Sequence, residues 1–233
     1  MIKLFITGTG TGVGKTVASA WLCRELTNQD HRVAYVKPLQ TGGIPFGEAL
    51  LSSDLEYVKA SAPLLIDTLC CMNFHTPASP HLVAQEENRP IELSQLIDKI
   101  DHFSQECKPD FLIIEGAGGI AVPINDTEEM VDFCKALKAH AIVVSSTALG
   151  TLNHSKLTIN YLKQHGLDQI STILMRPEQE LKLIEDDNLL RIAQMAPNLA
   201  CLPFYSGLDS EKGSLPTDFI ASNNNLQDFK WTT

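Results

Sequence analysis

Short runs in which every position is apolar alternate along this chain with longer stretches whose apolar residues recur at helical spacing. Leu4-Phe5-Ile6-Thr7, Val33–Val36, Phe111–Ile114, Ala141–Val144 and Ile170–Leu174 are the strand-like runs, and Leu199–Leu202 is a further short one. Between them Val17–Leu26, Leu93–Cys107, Met130–Leu137, Leu152–Leu162 and Leu189–Met195 read as helices. Strands without polar alternation are covered on both faces, and strands separated by helices pair in parallel through right-handed crossovers. The pattern predicts a single doubly wound α/β domain over residues 1–233, with a mainly parallel sheet and helices on both faces. The stretch after Phe204 has little periodicity, so the tail from about 206 is left without an element. In such sheets ligands bind beyond the carboxyl ends of the strands. That directs attention to residues 7–16, 37–54, 115–125, 145–154 and 175–177. Thr41–Ser53 and Asn73–Pro90 are long and irregular, and compact domains keep such loops mainly for function.

Composition narrows the class. With 18 basic against 28 acidic side chains the net charge is −10, which disfavours nucleic acid as a general partner. The six cysteines, Cys23, Cys70, Cys71, Cys107, Cys134 and Cys201, form no C-x-x-C pair. Buried free thiols of a reducing compartment fit them better than disulfides or a zinc site. Met1–Thr7 lacks the basic start and long apolar core of a signal peptide, and no run of ~18 apolar residues exists. A cytoplasmic protein without a membrane span is expected.

The most specific segment is Thr7-Gly8-Thr9-Gly10-Thr11-Gly12-Val13-Gly14-Lys15-Thr16, which follows a strand and opens a helix. Glycines let backbone N–H groups turn in around phosphate oxygens, and the helix amino end adds positive potential. Lys15 supplies a charge for the outer phosphates and Thr16 a hydroxyl for Mg²⁺. The spacing is a variant of the usual P-loop: its first glycine would fall at Thr9, whereas Gly8 stands here, with extra glycines at 10 and 12.

Magnesium in such a site takes hard oxygen ligands. Glu115 ends an apolar strand before Gly116-Ala117-Gly118-Gly119 and is the strongest carboxylate candidate. Asp54, after Ser52-Ser53, reads by itself as a helix cap. Lys37, before Pro38, closes the second strand at the same rim as the P-loop, or else is a solvated strand end. His81 and His154 are assigned no catalysis.

Together these segments resemble the dethiobiotin synthetase family. The resemblance rests on the P-loop, Lys37-Pro38, Asp54, Ser79-Pro80-His81, Arg89-Pro90-Ile91, Glu115-Gly116-Ala117-Gly118-Gly119, Leu149-Gly150 with Asn153-His154, and Leu202-Pro203-Phe204, in family order over about residues 4–205. It implies 7,8-diaminononanoate, CO₂ and ATP as substrates, Mg²⁺ as cofactor, and ring closure through a carbamate and a carbamic–phosphoric anhydride. It further implies Lys15, Lys37 and Thr11 at the reacting groups and Thr16, Asp54 and Glu115 as the magnesium set. The nucleotide would be held by Gly12, Val13, Gly14, Val17, Gly116, Ala117, Gly118, Met175, Arg176, Pro203, Phe204 and Tyr205. The substrate would be held by Thr41, where the family usually has serine, and by Gly150, Thr151, Leu152 and Asn153. That last segment would receive the substrate carboxylate across the interface of a homodimer. Three positions depart from the pattern: Gly10 for a common aspartate, Ala148 for a frequent lysine, and Met175 for an asparagine that reads adenine. Methionine cannot make those hydrogen bonds, so looser base discrimination is expected, with ATP still the default.

Other P-loop classes fit less well. Partitioning ATPases resemble this chain in fold but carry a signature lysine five residues before the P-loop lysine, where Gly10 stands. Amide-forming synthetases of cobalamin biosynthesis usually add a glutaminase domain, for which 233 residues leave no room. A small-molecule kinase would need a base near an acceptor hydroxyl, and none is evident.

Overall fold

The computed structural model describes residues 1–178, 182–205 and 213–231. In chain order β1 (Ile2–Gly8) leads into α1 (Lys15–Asn28), then β2 (Val33–Gln40) and a small hairpin of β3 (Ile44–Phe46) and β4 (Ala49–Leu51). α2 (Ser53–Ser61), β5 (Asp67–Asn73), α3 (Pro80–Glu86) and α4 (Leu93–Cys107) precede β6 (Phe111–Gly119). After it come α5 (Met130–Ala136), β7 (His140–Ser146), α6 (Thr151–Gln164), β8 (Ile170–Met175), α7 (Lys182–Ala193) and β9 (Asn198–Leu202). The main sheet has seven strands in the order β5-β2-β6-β1-β7-β8-β9, and every neighbouring pair is parallel.

The apolar strands bury both faces, as their composition requires. Leu4, Ile6, Tyr35, Ile113, Ile142 and Val144 pack with Trp21 and Leu22 of α1. The intervening Phe5, Val36, Leu112, Ile114 and Val143 pack with Leu96 and Ile100 of α4 and Phe133 of α5.

Two strands run further than the sequence pattern indicates, and both extensions shape the rim. β2 continues through Lys37-Pro38 to Gln40. It pairs with β6 only as far as Val36↔Ile114, yet stays with β5 to Gln40↔Asn73. β2 and β6 therefore part just where Lys37 and Glu115 begin. β6 continues past Glu115 to Gly119, and its register to β1 shifts between Ile6↔Glu115 and Gly8↔Gly119.

Several elements carry no clear signal in the sequence. β5 (DTLCCMN) is an edge strand with partly exposed residues, so it lacks an apolar run. The irregular stretches hold β3–β4 and α3. The cap of α2 is Ser52, whose Oγ accepts from Leu55 N at 3.2 Å, so Asp54 sits in the first turn and is not the cap. α7 starts seven residues before the periodic segment at Leu189 and ends at Ala193, before Met195.

The C-terminal segment is ordered against the domain. Arg24 of α1 donates to the carbonyls of Pro216 and Phe219, at 2.8 and 2.5 Å. Cys201 and Ser222 exchange backbone hydrogen bonds of 2.9 and 2.8 Å, which covers part of the β9 edge. Trp231 then meets Phe111 and His140 at ring separations of 5.8 and 5.3 Å, at the end of the sheet away from the P-loop. Among the described residues no helix is long and apolar enough to cross a membrane. All six cysteines are free.

His140 gives this packing a pH signature. It is 6% exposed, its Nε2 lies 2.8 Å from Ser171 Oγ, and burial pushes its pKa down to about 4. The unfolded chain takes up this proton below about pH 6.5, whereas the folded chain does so only near 4. The stabilising contribution is therefore full above 6.5 and lost as pH falls toward 4. Urea unfolding should show wild type about 2 kcal/mol less stable at pH 5 than at pH 7.5 from this group. His140→Leu should remove that difference; an unchanged pH slope in the variant contradicts the assignment.

Candidate active site

The P-loop turns between β1 and α1. Gly12 and Gly14 have φ of 72° and 98°, in the left-handed region that L side chains avoid. A Cβ on Gly8 would lie 2.6 Å from Val13 Cγ1, so the closeness of the turn itself demands glycine there. α1 carries no acidic residue in its first turn, which leaves its positive end uncompensated and suited to an anion. Lys15 Nζ folds back to donate to Gly10 O at 3.2 Å. Burial lowers the Lys15 pKa, against the opposing pull of Glu115.

Opposite the loop, one carboxylate gathers four donors. Glu115 is 1% exposed. Its Oε1 accepts from Thr16 Oγ1 and Lys37 Nζ, both at 2.9 Å. Its Oε2 accepts from Ser19 Oγ at 2.7 Å and Tyr35 OH at 3.0 Å. Lys37 also reaches Asp54 Oδ2 at 2.5 Å. Burial opposes the Lys37 ammonium, but Glu115 and then Asp54 outweigh it and hold its pKa above the ordinary lysine value. Lys37 is a buried cation between two carboxylates, and the strand-end position does not leave it solvated.

These groups border one cavity of about 880 Å³, ample for a nucleotide and a second small molecule. Thr11, Gly12, Val13, Gly14, Lys15, Thr16 and Val17 form its floor, with Lys37, Thr41, Asp54, Glu115, Ala117 and Gly118 on one side. Met175, Arg176, Pro203, Phe204 and Tyr205 close the other end. There the Met175 side chain covers Gly14: a Cβ on that glycine would stand 3.0 Å from Met175 Cε. Arg176 is tied to Glu185 at 2.6 Å, and its backbone N–H is spent on Leu202 O at 2.9 Å.

Five of the residues given a site role from the sequence do not line this cavity. Gly116 is packed inward, where a Cβ would lie 3.0 Å from Phe5 Cζ. Gly150, Thr151, Leu152 and Asn153 stand at the start of α6. Thr151 Oγ1 is 2.8 Å from Ser145 Oγ, which in turn is 3.4 Å from Thr9 Oγ1 of the P-loop. Asn153 is exposed. Residues that sequence reading passed over are Ser19, Tyr35 and Gln40. Ser19 follows Thr16 by three residues on one helix face, and Tyr35 precedes Lys37 by two on one strand face. Either spacing places the side chain beside Glu115.

The donor set suits a hard cation. Thr16, Asp54 and Glu115 offer only oxygens, from one hydroxyl and two carboxylates. Mg²⁺ is typically bound by one or two carboxylates, with phosphates and water completing its shell. These three residues could hold it.

A family model described as an AAA domain matches residues 3–212. The ATP-dependent dethiobiotin synthetase of Bacillus thuringiensis (strain Al Hakam) is 34% identical, over 91% of this chain and 87% of that protein. The enzyme of the same name from Methanocaldococcus jannaschii is 37% identical, over 73% of this chain and 78% of its own. Among solved structures, the MinC:MinD cell division protein complex of Aquifex aeolicus aligns with a TM-score of 0.57 at 12% identity, covering 89% of this chain and 84% of that one. A ParA family ATPase from Chlorobium tepidum aligns at 0.52 and 16%, covering 88% and 84%. The structural likeness shows a P-loop ATPase fold and no more.

Removing the central carboxylate has a stability consequence. Glu115→Gln leaves Lys37 with Asp54 alone and turns an amide toward existing donors. It should cost about 3 kcal/mol in urea unfolding. Adding Lys37→Met should recover part of that; a double variant less stable than Glu115→Gln would contradict the pairing.

Proposed function

This chain belongs to the dethiobiotin synthetase family, and we propose that it closes the cyclic urea of dethiobiotin from 7,8-diaminononanoate, CO₂ and ATP. The observation that carries the reading is the meeting of Lys15, Lys37 and the Thr16–Asp54–Glu115 oxygens at one cavity. In the proposed sequence one amine captures CO₂ as a carbamate and loses a proton. A carbamate oxygen then attacks the γ-phosphorus of ATP, giving ADP and a carbamic–phosphoric anhydride. The second amine attacks the anhydride carbonyl and gives up a proton, the ring closes, and phosphate leaves.

Both reacting groups are anionic, so the task of the chain is to bring them together without repulsion. Lys15 holds the outer phosphates. Lys37, tethered by Asp54 and Glu115, sits where carbamate charge builds, and the Thr11 hydroxyl borders the same space. Thr16, Asp54 and Glu115 would hold Mg²⁺, which when bound supplies charge neutralisation to the phosphates. No side-chain nucleophile is called for.

The base end supports relaxed nucleotide choice. Met175 offers no hydrogen bond to a base edge, and the Arg176 guanidinium is engaged by Glu185. Stacking against Phe204, which is 45% exposed, does not distinguish one base from another.

A homodimer belongs to the same proposal. Residues 150–153 do not line the cavity of their own chain, and α6 presents Asn153 and the apolar Leu157 outward. Such a face is suited to give a partner's substrate carboxylate the amino end of a helix. One domain over residues 1–233 is likewise proposed, supported by residues 213–231 packing on α1 and the sheet. A cytoplasmic location fits six free thiols.

Two assays test the reading. Pure protein with MgATP, bicarbonate and diaminononanoate should yield the cyclic urea by mass. Lys37→Ala should abolish turnover while largely keeping nucleotide binding, and unchanged turnover would remove Lys37 from the mechanism. With ATP, CTP and GTP compared, rates should fall within about ten-fold of one another, and a strict ATP preference would refute the Met175 reading.

A further inference from the structure

Glu115 is held from two sides, and the inward side belongs to residues without a place in the reaction above. Oε1 faces Thr16 and Lys37 at the cavity, while Oε2 accepts from the hydroxyls of Ser19 and Tyr35. Both hydroxyl-bearing residues are fully buried, at 0% exposure. A glutamate's terminal torsion is otherwise broad. Pinning Oε2 from behind fixes the direction in which Oε1 points.

We propose that Tyr35, together with Ser19, is a positioning residue that locks the Glu115 carboxylate in its cation-binding orientation. The inference rests on the reading that Glu115 helps hold the divalent ion. Tyr35→Phe removes one oxygen and keeps the ring that fills the core. A lost partner behind a metal-binding carboxylate typically weakens the ion by ten-fold or more.

The test titrates the whole protein with Mn²⁺ in the presence of ADP and follows free Mn²⁺ by electron paramagnetic resonance. Tyr35→Phe should bind Mn²⁺ roughly ten-fold more weakly, with kcat reduced and KM for the diamine unchanged. Tyr57→Phe is the matched control, since that hydroxyl is also buried but has no hydrogen-bond partner among the described residues; its Mn²⁺ affinity should equal wild type. A folded Tyr35→Phe protein with wild-type Mn²⁺ affinity and kcat overturns the inference. If Tyr35→Phe does not fold, Ser19→Ala removes the other donor to Oε2 and is judged by the same two outcomes. Wild-type protein that makes no cyclic urea, yet loses Mn²⁺ affinity on Tyr35→Phe, would strike the proposed reaction and leave this inference standing.

Discussion

A carboxylate buried to 1% exposure is tolerable only if its oxygens are met by donors, and the architecture of the rim follows from that requirement. Glu115, on β6, collects donors from two other elements: Thr16 and Ser19 from α1, and Tyr35 and Lys37 from β2. Each donor is thereby fixed relative to the others. The P-loop hydroxyl and the second lysine are held in mutual register because they share one oxygen. Removing the Glu115 carboxylate would leave the buried Ser19 and Tyr35 hydroxyls without this acceptor, and unpaired polar atoms in the interior are costly.

The sheet makes room for this cluster by parting. β2 leaves β6 after Val36↔Ile114, and β1 shifts register against β6 after Ile6↔Glu115. The residues just beyond those points are Lys37, Glu115 and the P-loop. A cavity at the carboxyl ends of diverging parallel strands is where this class of fold binds ligands. The MinC:MinD cell division protein complex shares this fold at 12% identity.

Much of this was legible in the sequence. The unbroken apolar runs of β1, β6, β7 and β8 indicate a parallel sheet, and the glycine loop before Lys15-Thr16 marks its ligand end. What escaped notice was less apolar or less local. β5 is a half-covered edge strand, so Asp67–Asn73 carries too little hydrophobic pattern to be seen. The C-terminal segment folds by capping β9 and by scattered aromatic contacts, which leave no periodic trace. Within the site, Lys37 alone could equally be a solvated strand end. Its role depends on β6 lying beside β2, a long-range pairing that no local pattern encodes. Ser19 and Tyr35 could have been found from helical and strand periodicity once Thr16 and Lys37 were taken as functional.

Two ammonium groups border one cavity, the second tethered to a pair of carboxylates, and in the proposed reaction they bring a carbamate oxygen to a terminal phosphate. The most direct test follows that oxygen. C¹⁸O₂, supplied before it exchanges with water, should place one labelled oxygen in the phosphate released by the protein with ATP and the diamine. Unlabelled phosphate alongside labelled cyclic urea would contradict the account.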